Sequence, residues 1–187
     1  MNVVIFGPPG AGKGTQAQNI VKKFNLHQVS TGDLLRTEIK NKSEIGKEIE
    51  EVISKGDFAT DDIVNKLIKN IVFDPQKKDK LIFDGYPRSL SQAKNLDSLL
   101  GSSKQIIDFI FFLNVNKDTI MKRIERRKIL EKRSDDNLNT ILKRYDTYME
   151  TTTPVLDFYS SRSYFYEIDG SEKIEVISSK IEQIITV

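Results

Sequence analysis

Hydrophobic and polar positions alternate in blocks along this chain, and each block has a period. Asn2–Phe6 is a short β-branched and aromatic run closed by Gly7-Pro8-Pro9-Gly10, which predicts a buried strand followed by a loop. Lys13–Phe24 carries Ala17, Ile20, Val21 and Phe24 at helical spacing. Leu26–Val29 predicts a second strand, and Gly32–Lys40 and Ser43–Ser54 predict two amphipathic helices split by Asn41-Lys42. Thr60 caps another helix, with Asp61 and Asp62 in its first turn, running to about Phe73. Leu81–Phe83 predicts a strand ending at Asp84-Gly85, and Leu90–Leu100 a helix. Ile106–Val115 is apolar enough for a strand buried on both faces. Lys117–Arg127 predicts a helix, Asp135 to about Tyr159 a longer one bent near Pro154, Tyr164–Ile168 a strand and Glu172–Ile185 a last helix.

Strands alternating with helices imply βαβ units and a parallel sheet covered on both faces. Residues 30–59 hold helices without an obvious strand, so they predict a lobe inserted into the sheet domain. The chain shows no internal repeat and no low-complexity segment.

The 187 residues suit one domain with small insertions. Against 29 Lys plus Arg stand 27 Asp plus Glu, a net charge of +2, which argues against a dedicated nucleic-acid binder with its one-signed face. There is no Cys, so disulfides and thiolate metal sites are excluded, and the single His27 rules out polyhistidine metal chemistry. No apolar run approaches the roughly 20 residues of a membrane span. The N-terminus runs into Gly7 without a basic stretch or cleavage site, so no signal peptide is expected and a cytoplasmic location follows.

Gly7-Pro-Pro-Gly10-Ala11-Gly12-Lys13-Gly14-Thr15 sits between a buried strand and a helix, the context a phosphate-binding loop requires. Glycines let main-chain N–H groups turn toward phosphate oxygens, and the helix N-terminus adds partial positive charge. Lys13 supplies a mobile charge for the β- and γ-phosphates, and Thr15 a hydroxyl near a magnesium position. The plainer alternative is a glycine-rich turn with a chance lysine. The strict pattern has Ser or Thr directly after the lysine; here Gly14 intervenes, which points to a subset of such proteins.

Four strings then coincide in order: GPPGAGKGTQA (7–17), STGDLLR (30–36), DGYPRSLSQA (84–93) and RRKILEKRSDDNLNTILKRYDTY (126–148). Together they resemble the adenylate kinase family over nearly the whole chain. The resemblance implies an α/β P-loop NTPase three-layer sandwich: a five-stranded parallel sheet flanked by helices, with a helical NMP-binding lobe and a short lid loop. The core would comprise 1–29, 60–127 and 133–187, the lobe 30–59 and the lid 128–132. The implied reaction is ATP + AMP ⇌ 2 ADP with Mg²⁺, serving adenine nucleotide homeostasis, with small nucleotides as partners and neither nucleic acid nor membrane.

Residue roles follow from the resemblance. Gly10, Ala11, Gly12, Lys13, Gly14 and Thr15 hold ATP phosphates. Arg36 and Arg88 grip the AMP phosphate. Arg123 and Arg127, four apart on one helix face, serve ATP, Arg123 near the adenine and Arg127 on phosphate. Arg133 and Arg144 close over both phosphates. Gly85, Tyr86 and Pro87 share the AMP motif with Arg88, and Gln92 matches a position that reads the adenine edge. Thr31 stands where adenine-specific members carry Thr. Asp57, Phe58 and Ala59 pass under the AMP ribose and base, Asp57 and Phe58 departing from the more usual pair. Glu172 touches the ATP adenine through main chain. Asp84, ending an apolar strand, orients magnesium waters or is a helix cap or turn residue; Asp33 joins that network or caps its helix. The segment between Arg127 and Arg133 has no room for an inserted lid domain and, without Cys, no zinc. Arg126 and Arg162 are left as surface or structural, and His27 as a strand-end surface residue. A kinase for another monophosphate, disfavoured by Thr31 and Gln92, and a nucleotide switch lacking an acceptor site, which leaves DGYPR unexplained, are the competing readings. A monomer is expected, since no apolar helical face stands out as spare.

Overall fold

The computed structural model describes residues 1–55, 57–131 and 138–187, and side chains except those of 127–131 and of 138 and 139. Five strands, β1 (Val3–Phe6), β2 (His27–Ser30), β3 (Leu81–Asp84), β4 (Phe109–Asn114) and β5 (Phe165–Asp169), form one sheet in the order β2-β3-β1-β4-β5. Every pairing is parallel, as in Val3 opposite both Ile82 and Phe109. Nine helices are described: α1 (Lys13–Phe24), α2 (Thr31–Lys40), α3 (Glu44–Ser54), α4 (Asp61–Val72), α5 (Leu90–Ser102), α6 (Lys117–Glu131), α7 (Leu138–Thr151), α8 (Thr153–Ser160) and α9 (Ile174–Thr186).

Strand periodicity divides the core in two. Val4, Phe6, Leu81, Phe83 and Ile110 point to one face and pack with Ile49, Ile68, Leu96 and Tyr159 from α3, α4, α5 and α8. Val3, Ile5, Ile82, Phe111 and Leu113 point to the other, against Ile20, Ile124 and Ile181 from α1, α6 and α9. Both faces are therefore buried, which is why these strands read as continuous apolar runs. Among the described residues no helix is long and apolar enough to cross a membrane.

The apolar stretch expected as a strand from Ile106 enters the sheet only at Phe109, and Ile106 is 69% exposed. Asn2, itself buried, accounts for the offset. Its side-chain amide donates to the Ile106 carbonyl (2.9 Å) and its Oδ1 accepts from Leu81 N (3.1 Å), tying the leading ends of β1, β3 and β4 with side-chain bonds.

Two further expectations change. The lid segment 128–132 is not a loop over its first four residues: α6 continues through Glu131. Arg126-Arg-Lys-Ile-Leu-Glu131 is composed of helix formers and holds no Gly, Pro or Asn stop signal, so the helix has no local reason to end at Arg127. The bend near Pro154 is a full break. α7 ends at Thr151 and α8 begins at Thr153, with Pro154 in the first turn, where its missing N–H costs nothing. The start expected at Asp135 lies outside the described residues.

In the 30–59 segment α2 and α3 pack through Gly46. A Cβ there would overlap the Glu38 carbonyl, a main-chain atom with no freedom to retreat. Gly46→Ala is expected to destabilise the protein by about 1–3 kcal/mol through overpacking, measured by urea denaturation; unchanged stability would show that the two helices can separate freely.

Candidate active site

In a parallel sheet of this order, ligands reach the carboxyl ends of the strands where the connections diverge. Here that point lies beside central β1, between β3 and β4. The loop after β1 runs into α1, whose N-cap is Gly12. Gly10 adopts φ +83°, and a Cβ at Gly10 would sit 2.9 Å from Ile124 Cγ1, so only glycine allows the loop to lie this close to α6. Lys13 folds back over the loop, its Nζ donating to the carbonyls of Gly7 (2.7 Å) and Pro8 (3.1 Å). Thr15 faces solvent.

Asp84 ends β3 next to this loop. Its Oδ2 lies 3.5 Å from the Cβ position of Gly14 and accepts from Gln28 Nε2 at 3.1 Å. The carboxylate is thus a strand-end group facing the loop, and not a helix cap. Among the described residues no group of three or more His, Asp or Glu could hold a metal ion. Two hard oxygen donors beside a phosphate loop, Thr15 and Asp84, suit a magnesium ion that arrives with a nucleotide and keeps most of its waters.

Arginines gather on the other side of Asp84. Arg88 donates through Nε to the Gly85 carbonyl (2.7 Å), and its guanidinium lies 4.5 Å over the Phe58 ring. Burial lowers the Arg88 pKa to about 10; Arg144 and Arg36 push it the same way, and Asp84 opposes them. At neutral pH the group stays protonated, and Arg144 and Arg36 are near enough to act on its charge. Arg36 pairs with Asp33 (2.6 Å) at the start of α2, while the cap of that helix is the Ser30 hydroxyl. The Thr31 hydroxyl donates to the Gly85 carbonyl at 2.8 Å, joining the start of α2 to the same turn.

Arg123 reaches the phosphate loop, donating to the Ala11 carbonyl (3.1 Å) and to the Glu172 carbonyl (3.4 Å) beyond β5. Ala11, Arg123 and Glu172, far apart in sequence, are therefore neighbours at one end of the cleft. Arg127 lies within α6, but its side chain and all of Arg133 fall outside the described residues.

Tyr86, of the same motif as Arg88, turns its side chain inward. Its side chain is 0% exposed within the core, where the hydroxyl donates to Asn65 Oδ1 (2.8 Å) and accepts from Asn95 Nδ2 (3.1 Å); burial raises its pKa to about 12. Only its main chain can meet a ligand. Gln92 is also buried, at 4% exposure, and its amide is engaged by the protein: Oε1 accepts from Arg88 N (2.7 Å) and Nε2 donates to Asp61 Oδ1 (2.7 Å). Phe58 and Ala59 lie just before α4, and Asp57 forms an ion pair with Lys143 of α7 at 2.7 Å.

Sequence reasoning passed over Asp61, Ser89, Gln28, Lys143 and Thr152, all of which buttress the site. Thr152, in the α7–α8 break, donates to the Arg88 carbonyl at 3.0 Å. Thr60-Asp61-Asp62 signalled a helix start and nothing more; the Thr60 side chain makes no capping bond.

Comparison with known proteins gives one consistent family. Residues 5–164 match the family model described as Adenylate kinase. The adenylate kinase of Pelagibacter ubique (strain HTCC1062) is 47% identical over 213 aligned positions, with the whole of both chains covered. That alignment is longer than this chain, so the relative carries residues absent here. The adenylate kinase of Caulobacter sp. (strain K31) is 36% identical over 187 positions, covering all of this chain and 99% of the relative. That of Mycoplasma mycoides subsp. mycoides SC is 38% identical, covering 92% of each.

The Asp57–Lys143 pair is nearly half exposed on both sides. Asp57→Asn is expected to change stability by less than about 1 kcal/mol, and any loss should vanish at high salt. Thermal unfolding at two ionic strengths checks this; a larger, salt-independent loss would mean that the pair is structurally buried.

Proposed function

The chain belongs to the adenylate kinase family and is a nucleoside monophosphate kinase, a phosphotransferase; we propose that it catalyses ATP + AMP ⇌ 2 ADP by direct in-line transfer in this cleft. The observation that carries the reading is the position of Asp84, which faces Gly14 of the glycine loop and also acts on the charge of Arg88, as do Arg144 and Arg36. It supports a reading in which two phosphate sites meet at Asp84.

An oxygen of the AMP phosphate attacks the γ-phosphorus of ATP, and the bond to the β–γ bridging oxygen breaks. The attacking oxygen is already anionic, so no general base is needed. This fits a cleft whose charged groups near the phosphates are chiefly cations. Gly10, Ala11, Gly12 and Gly14 offer main-chain N–H groups to the β-phosphate. Lys13 exchanges the Gly7 and Pro8 carbonyls for phosphate oxygens as charge shifts toward the leaving group. Arg36 and Arg88 hold the acceptor phosphate, with Arg123, Arg127, Arg133 and Arg144 on the donor and transferring groups. Thr15 and Asp84 would hold a nucleotide-borne Mg²⁺, which supplies charge neutralisation on the phosphates when bound. Gly85, Tyr86 and Pro87, with Thr31, Asp57, Phe58 and Ala59, line the acceptor side, Tyr86 through its main chain; Gln92 faces the acceptor base, and Glu172 the donor adenine.

Transfer to AMP in preference to water requires closure. In this reading the 30–59 lobe and the lid segment 128–132, with helix movement carrying Arg133 and Arg144, do the closing, against a core of 1–29, 60–127 and 133–187. The enzyme is taken to act as a cytoplasmic monomer in adenine nucleotide homeostasis.

A coupled assay with ATP and each of AMP, UMP, CMP and GMP tests the reaction; preference for UMP or CMP would overturn it. Lys13→Ala should lower kcat by about 10²–10³-fold with the fold intact. Arg88→Ala should lose about 2–4 kcal/mol of transition-state stabilisation, with the KM for AMP rising more than that for ATP. A near-normal rate in either variant removes that residue from the mechanism. Fluorophores at Ser54 and Lys132 should approach each other when a bisubstrate dinucleotide binds, and an unchanged distance would rule out closure.

A further inference from the structure

The Gln92 amide is held between partners of fixed hydrogen-bond character. The Arg88 main-chain N–H can only donate, and it meets Oε1 at 2.7 Å. The Asp61 carboxylate can only accept, and its Oδ1 meets Nε2 at 2.7 Å. The carboxylate is itself oriented: its Oδ2 accepts from Ser89 Oγ at 2.8 Å, and the same hydroxyl accepts from Gln92 N at 3.2 Å as the cap of α5. Turning the amide over would set N–H against N–H and oxygen against carboxylate. At 4% exposure, water is poorly placed to relieve either mismatch.

Each amide group keeps one unused valence, a second lone pair on Oε1 and a second hydrogen on Nε2. An acceptor and a donor are thus presented side by side in a fixed order. A 6-aminopurine offers the complement, an exocyclic amino donor beside the N1 acceptor. A 6-oxopurine offers the reverse, an O6 acceptor beside the N1–H donor, and could pair only with the amide turned over.

We propose that Asp61 is a positioning residue for acceptor selectivity: together with the Arg88 main-chain N–H, it locks the Gln92 amide in the orientation that accepts a 6-aminopurine monophosphate and opposes a 6-oxopurine one. The proposal rests on the reading that Gln92 faces the base of the accepted nucleotide. Asp61 itself touches neither substrate nor reacting atoms; it acts through Gln92.

The discriminating variant is Asp61→Asn in the full chain. Asparagine keeps the size and a hydrogen bond to Gln92, but it can rotate its own amide and follow a Gln92 flip. Ser89, a hydroxyl, can serve either orientation. The expected result is an unfolding midpoint and kcat with saturating AMP close to wild type, a KM for AMP raised several-fold, and a ratio Kd(IMP)/Kd(AMP), from calorimetric titration, narrowed by about tenfold. Asp61→Ser, whose hydroxyl can donate or accept, should narrow the same ratio and stands in if the Asn variant does not fold. A ratio that stays at the wild-type value, or losses equal for AMP and IMP, would mean that Asp61 only supports the fold and would overturn the proposal. Gln92→Leu separates the two levels of the argument. If it weakens AMP and collapses the ratio while the Asp61 variants do not, the lock is wrong and the reading of Gln92 stands. If it changes neither, the base is not read by Gln92 and both fall.

Discussion

Burying both faces of a five-stranded parallel sheet leaves the carboxyl ends of its strands as the place where main-chain groups and polar side chains meet solvent together. In this chain that edge carries the loop after Phe6, Asp84 at the end of β3 and the Asp169–Glu172 turn after β5. The apolar clusters on the two faces set the strand register, because a slip of one residue would send Val4 and Phe83 to the wrong face. Register in turn brings Ile5 opposite Asp84 and places the carboxylate beside Gly14. The site geometry is thus a consequence of core packing.

Several site groups occupy internal partners that a nucleotide would replace. Lys13 holds the Gly7 and Pro8 carbonyls, Arg36 holds Asp33 and Arg123 holds Ala11 and Glu172 carbonyls. Such contacts limit the cost of keeping cations together before anions arrive, and they keep the side chains near their working positions. Arg88 differs. Its Nε is tied to Gly85, its carbonyl to Thr152 and its guanidinium lies over the Phe58 ring, while burial and its cationic neighbours depress its pKa.

The acceptor side is also where polar partners are least exchangeable. Asp61, Ser89, Gln92 and the Arg88 main chain form a closed set of hydrogen bonds joining the starts of α4 and α5. Closed networks specify one arrangement, because breaking any member strands another.

Alternating periods, the glycine loop and the arginine-bearing motifs are local signals. From them the strands of the sheet and eight of the helices in outline could be read directly. They are short-range, and short-range preferences fix elements and residue types. They could not reveal that Tyr86 turns into the core, that α6 runs on to Glu131, or that the long helical stretch breaks at Thr152. Nor could they pair Asp57 with Lys143, Arg123 with Glu172, or Asp61 with Gln92, partners separated by tens of residues. Those pairings exist because the packed sheet and helices bring distant segments within hydrogen-bonding distance. Which chemistry the chain carries was written in its sequence. Which way each polar group faces was decided by tertiary packing, because a hydrogen bond depends on a partner's position and not on its place in the chain.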